Sequence, residues 1–93
     1  MSPYQQAREY GTESITVWIT ETMARCPKCK RSAMDAAWRK LGDGVQCWGE
    51  CRECGTGLAG GMLPKGASAI EVETRIIERA QKEAAKRAEE ART

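Results

Sequence analysis

The clearest alternation of apolar and polar positions runs through residues 14–22, Ser-Ile-Thr-Val-Trp-Ile-Thr-Glu-Thr. Ile15, Val17 and Ile19 fall on one side, with Met23 extending the row, and Thr16, Trp18, Thr20 and Thr22 fall on the other. A period of two with β-branched residues in the majority predicts a strand. Trp18 then either covers the second sheet face or stands out as a contact residue, and packing is the expected use of an indole. Ahead of this strand, Ser2-Pro3-Tyr4-Gln5 combines a capping residue, a proline at the first helical position and a glutamine at the third. That grouping predicts a short helix over residues 3–10, stopped by Gly11. So short a helix must pack to persist, here through Tyr4, Ala7 and Tyr10.

Further along, Ser32 begins a second capping motif with Asp35 at its third position. Met34, Ala37, Trp38 and Leu41 then form one apolar face of a short helix closed by Gly42. The same residues also suit a two-stranded excursion. Asp43-Gly44 signals a turn, after which Val45-Gln46-Cys47-Trp48 forms a returning strand with Val45 and Cys47 on one side. Residues 55–66 hold five glycines and a proline and read as a turn-rich connector. They lack the Gly-Lys-Ser or Gly-Lys-Thr ending of a phosphate cradle. Ser68 and Glu71 make a third capping box, and the helix it opens should span residues 69–92, roughly 35 Å at 1.5 Å per residue. Its apolar stripe is Ile70, Thr74, Ile77, Ala80, Ala84, Ala88 and Ala91, and Glu71–Arg75, Glu78–Lys82 and Glu83–Arg87 pair in the favourable direction. The chain thus divides into a short N-terminal helix over 1–13, a metal-binding module over 14–57, a glycine-rich connector over 58–67 and a charged, alanine-rich helix over 68–93.

Five cysteines and no histidine narrow the chemistry of that module. Cys26-Pro27-Lys28-Cys29 and Cys51-Arg52-Glu53-Cys54 are two Cys-x-x-Cys pairs able to bring four thiolates to one tetrahedral ion, for which Zn²⁺ is the default. Cys26, Cys29, Cys51 and Cys54 are the expected ligands. Cys47 makes the count odd, and Cys26, Cys29, Cys47 and Cys51 form a rival set. The compact second pair followed by Gly55 favours the symmetric assignment and leaves Cys47 as a small buried hydrophobe.

At 93 residues the chain has room for one small domain and an extension, the size at which a structural metal contributes most. No apolar h-region follows Met1 and no run reaches bilayer length, so the expected setting is cytoplasmic, with no membrane partner. The formal charge of +2 falls to about zero once four thiolates hold one divalent ion. A strongly basic footprint is missing overall, although residues 26–54 carry a local excess.

The two cysteine pairs give the middle of the chain a resemblance to the zinc-ribbon and treble-clef class of zinc fingers. The likeness rests on Cys26-Pro-Lys-Cys29 and Cys51-Arg-Glu-Cys54-Gly55. A weaker one, to GATA-type fingers, rests on the seventeen residues between Cys29 and Cys47 and on Trp38-Arg39-Lys40; it departs at Cys47-Trp-Gly-Glu-Cys51, which has one residue too many. The fold implied is a small α+β metal-stabilised domain with a zinc-ribbon-like β core, short helices and a long C-terminal helix. Zinc ribbons commonly bind nucleic acid or attach to transcription and replication machinery, so the resemblance implies DNA binding and transcription regulation.

Lys28, Lys30, Arg31, Arg39, Lys40 and Arg52 are the candidate phosphate contacts, with Trp38 or Trp48 available to stack on an unpaired base. The competing expectation is a protein adapter or inhibitor that binds a larger enzyme or polymerase. In that reading the long helix pairs with a partner, or with a second copy as a coiled coil, through Ile70, Ile77 and Ala84. Catalysis is not expected, nor a small-molecule substrate: four thiolates close the coordination shell, and Cys47 has no histidine base.

Overall fold

The computed structural model describes the backbone of residues 4–10 and 13–91 and the side chains from residue 16 to 91. Five strands, β1 (Tyr4–Tyr10), β2 (Glu13–Glu21), β3 (Met34–Leu41), β4 (Gly44–Cys51) and β5 (Gly57–Pro64), precede one helix, α1 (Ala69–Ala91). The strands form a single antiparallel sheet in chain order, β1-β2-β3-β4-β5. The helix lies across one face of it, over β3, β4 and β5. A zinc-ribbon-like α+β architecture with a long C-terminal helix is what results. Among the described residues no helix is long and apolar enough to cross a membrane.

The predicted strand over 14–22 is β2, and the expected helix over 3–10 is instead β1, with Ser2, Pro3 and Gly11 outside the described residues. Tyr4 pairs with Ile19 and Tyr10 with Glu13, so the segment exchanges backbone hydrogen bonds with β2 along its length. A helix of two turns has too few internal bonds to compete with that pairing.

The helix expected over Met34 to Leu41 is β3, the two-stranded alternative. Burial on both faces disguises it. Met34, Ala36 and Trp38 point to the helix side, whereas Ala37 packs with Val17, Ile19 and Trp48 on the reverse side. Four of the first five residues are therefore buried, and the alternation that marks a half-buried strand is lost. Its turn is Gly42-Asp43, one residue earlier than predicted, with φ 60° at Gly42 and Leu41 paired to Gly44.

The glycine-rich connector is likewise a strand. One of its glycines serves packing: a Cβ on Gly60 would lie 2.7 Å from Cys47 Sγ and 2.8 Å from Ile76 Cδ1. Only a bare backbone lets α1 settle so near the sheet. A bulge between Cys47 and Trp48 of β4, with Gly61 of β5 at φ 79°, adjusts the register there.

The helix begins where its cap predicts and runs to Ala91, the last described residue, and Glu71 N–H donates to Ser68 Oγ at 3.2 Å. Its buried face differs from the predicted stripe. Val72, Ile76 and Ala80 face the sheet, the first two fully enclosed, while Ile70 is 74% exposed. Ile76 and Val72 join Ala36, Trp38, Val45, Cys47 and Leu63 in the main core. A second core gathers Ala24, Cys26, Ala33, Met34, Cys51 and Ala80 at the other end of β3.

Candidate metal centre

Two turns carry the cysteine pairs to this second core, one between β2 and β3 and the other between β4 and β5. They repeat the same backbone pattern. In the first, Lys30 N–H donates to Cys26 O at 2.9 Å and Cys26 N–H to Arg31 O at 2.8 Å. In the second, Gly55 N–H donates to Cys51 O at 3.0 Å and Cys51 N–H to Thr56 O at 2.9 Å. The residue after each second cysteine is left-handed, φ 68° at Lys30 and 76° at Gly55. Glycine reaches that region freely; lysine does so at a cost. Lys30 Nζ also donates to Pro27 O at 3.1 Å, closing its turn from the side. Arg52 N–H donates to Ala33 O at 2.9 Å, tying the two turns together.

The sulfur atoms of Cys26, Cys29, Cys51 and Cys54 all lie within 4.8 Å of one another. Cys26 Sγ is 3.6 Å from Cys54 Sγ, and Cys29 Sγ is 3.6 Å from Cys51 Sγ. A tetrahedron with Zn–S near 2.3 Å has edges of about 3.8 Å, so the four thiolates fit a single Zn²⁺. Cys47 takes no part. It is buried beneath Ile76 in the main core, with its Sγ 3.7 Å from Gly61 O, as the alternation of Val45 and Cys47 predicts.

Local electrostatics set three of the thiols apart. Cys54 is pulled down to about 6, first by the Thr56 hydroxyl, 3.0 Å away, and then by the Thr56 backbone N–H. For Cys26 burial pushes upward, but backbone N–H groups of Cys29 and Lys28, both aimed at its sulfur, outweigh it and leave the thiol lowered. Cys29 has a backbone hydrogen bond from Arg31 favouring its thiolate, yet burial and the neighbouring thiols push it up to about 11. Without a cation, then, the cage shares protons unequally. A divalent ion stabilises all four as thiolates, and what it supplies is a cross-link between the two turns. Thr56 is the participant that cysteine spacing does not reveal; its only sequence signal is a hydroxyl two residues after the last ligand.

No protein-family model matches this chain, and neither a curated protein nor a solved structure matches it.

The six basic residues expected to contact phosphate do not form one face. Lys28, Lys30 and Arg31 lie in the first cysteine turn and Arg52 in the second, while Arg39 and Lys40 sit near the far end of β3. Arg52 is paired with Asp35, and from Asp35 to Lys40 the strand advances about 17 Å at 3.4 Å per residue. Arg31 pairs with Glu53 at 3.3 Å, and Arg39 Nε donates to Gln46 Oε1 at 2.7 Å. Four of the six, counting Lys30, thus hold partners within the chain.

The proposed partner-binding residues divide too. Ile77 and Ala84 line a groove with Met23, Ala24 and Cys26 between α1 and the first cysteine turn, whereas Ile70 stands apart at the start of the helix.

Proposed function

We propose that this protein is a zinc-stabilised, nucleic-acid-associated module that acts by binding and not by catalysis. The observation that carries the reading is a basic flank on α1. Arg75, Arg79, Lys82 and Lys86, spaced by four, three and four residues, share one side of the helix. That side overhangs β5. Arg75 Nη1 donates to Gly60 O at 3.0 Å, the guanidinium groups of Arg75 and Arg79 lie beside Gly61, and Arg79, Lys82 and Lys86 line a groove with Leu58 and Ala59. No acidic residue occurs in β5, and Glu83, at the rim of the groove, pairs with Arg87 at 3.3 Å. Four cations in a row beside an uncharged strand suit a phosphate backbone, and a role in transcription regulation would use this surface as its attachment to nucleic acid.

Fluorescence anisotropy against DNA and RNA oligonucleotides over a salt series tests the reading. Each phosphate contact contributes about 0.9 to the logarithmic salt slope for duplex and about 0.7 for a single strand. Charge reversal of exposed Arg79 and Lys82 together should weaken binding and flatten the slope by roughly two contacts. Absence of binding at low salt in the zinc-loaded protein defeats it.

The second reading is the protein adapter. What favours it is the groove of Met23, Ile77 and Ala84, with Met23 77% exposed at its mouth. Association that ignores salt and is lost in Met23→Ser and Ala84→Glu would establish that reading instead.

A further inference from the structure

A mostly apolar recess lies at the end of the molecule away from the cysteines. It is a cavity of about 260 Å³ lined by Trp18, Trp38, Lys40, Val45 and Lys65, with Gly42, Gly44, Gly66 and Ala67 at its edge. The fold assembles it from three places in the chain. Trp18 of β2 and Trp38 of β3 are directly paired across the sheet, so both indoles stand on the helix side as neighbours. Lys40 follows two residues later on the same strand and the same side, and Lys65 enters from the turn between β5 and α1. The helix lies over β3, β4 and β5, and Val72 is its first fully buried residue, after Ala67 and Ala69 that pack partly buried against the same core. Trp18 is half-buried although it packs against the main core, and both lysines are exposed.

We propose that this recess takes one unpaired nucleobase with its adjoining phosphate, which makes the nucleic acid bound by this protein single-stranded. The inference rests on the nucleic-acid reading above and adds the site and the strandedness. Size limits the occupant: the volume falls short of the ~300 Å³ at which drug-sized ligands begin, so a single flat ring system fits and an extended ligand does not. Chemistry selects among flat rings. The half-buried Trp18 provides a stacking face that accepts any base, with the buried Trp38 as the floor beside it, and two ammonium groups nearby call for an anion attached to the ring. At the rim, Gly42 and Gly66 have open space where a Cβ would stand. A base paired in a duplex presents only its edge to the grooves and cannot enter; one in a single strand can turn in. Trp48, suggested by the sequence as a stacking residue, faces the other side of the sheet, where its Nε1–H donates to Glu50 Oε1 at 3.2 Å.

That arrangement builds a control into the test. In the zinc-loaded, ¹⁵N-labelled protein the three indole N–H signals are followed as a nucleoside monophosphate, and separately a short oligothymidylate, is added. The expected result is that Trp18 and Trp38 shift while Trp48 does not, and that the oligomer saturates at a lower concentration than the monophosphate. At equal salt, the single strand should bind more tightly than a duplex of the same length. Lys40→Glu with Lys65→Glu, both at exposed positions outside the core, should abolish the monophosphate shifts. Trp18→Ala should weaken oligomer binding between about fivefold and a hundredfold, the range of one base–aromatic stack, with Trp18→Phe restoring most of it. Duplex and single strand bound alike with Trp18 and Trp38 unmoved would overturn the pocket and leave the nucleic-acid reading standing. No binding of either polymer would remove both. Equal shifts for the monophosphate and for an uncharged indole analogue would show a general apolar recess and overturn the proposal as well.

Discussion

Substituting alanine for Gly60 separates a packed strand from a mobile connector, because the two predict opposite signs. In a loose connector Gly→Ala stabilises by about 0.4–1 kcal/mol, since the unfolded chain loses freedom and the folded one meets no obstacle. In β5 the added Cβ would lie 2.7 Å from Cys47 Sγ, 2.8 Å from Ile76 Cδ1 and 2.9 Å from Cys47 O. Ile76 is fully buried and Cys47 is 2% exposed, so neither has space to retreat into. Overpacking of this kind costs about 1–3 kcal/mol. Against the entropic gain, the net effect is a loss of roughly 0.5–2.5 kcal/mol. For a domain of this size each kcal/mol moves the melting temperature by about 4–8 °C, which predicts a fall of roughly 2–20 °C. The assay is thermal unfolding by near-ultraviolet dichroism at a fixed free zinc concentration, because bound metal shifts the midpoint by mass action. Gly57→Ala is the matched control: nothing lies within 4 Å of its Cβ position, and it should stay within about 0.5 kcal/mol of the parent. Ile76→Val removes the offending methyl group, so combined with Gly60→Ala it should cost less than the two changes summed. An unchanged or raised midpoint for Gly60→Ala would refute the account of β5 as the floor beneath Ile76.

Elemental analysis of single Cys→Ser variants should find zinc bound by Cys47→Ser at one ion per chain and weakened or lost in Cys26→Ser and Cys54→Ser; the reverse pattern would restore the rival ligand set. Lys30→Gly should raise stability by about 1 kcal/mol in urea titrations, since it removes a left-handed lysine, and Gly55→Ala should lower it by about 1–2 kcal/mol. Zinc uptake at pH 7 should release fewer than four protons, counted from binding heats in buffers of different ionisation enthalpy. Cys54, pulled down to about 6, is already a thiolate at that pH and has none to give, whereas Cys29, pushed up to about 11, gives a whole one. A count of four would mean that the cage does not form ahead of the metal.

How much was legible in the sequence follows from how local each signal is. The ligand set lies in two four-residue turns, so spacing narrows it to two candidate sets, and the compact second pair before Gly55 favours the one whose sulfur atoms converge. The start of α1 is written in Ser68 and Glu71. Its orientation is not, because alanines spread apolar positions around the cylinder and let a stripe through Ile70 and Ile77 compete with the true face of Val72 and Ile76. Both short helices were read from local capping residues, which were overruled by strand partners far away in the chain: Tyr4 meets Ile19, and Met34 meets Cys51. Gly60 of β5 looks like flexibility in one dimension and turns out to be clearance in three. Trp18, Trp38, Lys40 and Lys65 each had an ordinary local explanation, and only the pairing of β2 with β3 gathers them at one recess.

The division of the core explains why this small sheet needs a metal and what the metal holds. Around Ile76 the core is made of Trp38, Val45, Leu63 and Val72, large side chains that each bury substantial apolar area. Around Ala80 it consists of two cysteines, Met34 and three alanines, and alanine contributes little area. At that end the sulfur atoms are the packing as well as the ligands, and a cross-link between the two cysteine turns replaces the large side chains that are missing. The helix passes from one region to the other within about 6 Å, the rise from Ile76 to Ala80. Arg75, fastened to Gly60 O, belongs to the first region; Arg79, Lys82 and Lys86 extend over the second. A metal cross-link at that end would therefore also steady the part of the sheet on which Ala80 packs, next to the stretch of α1 that carries Arg79, Lys82 and Lys86.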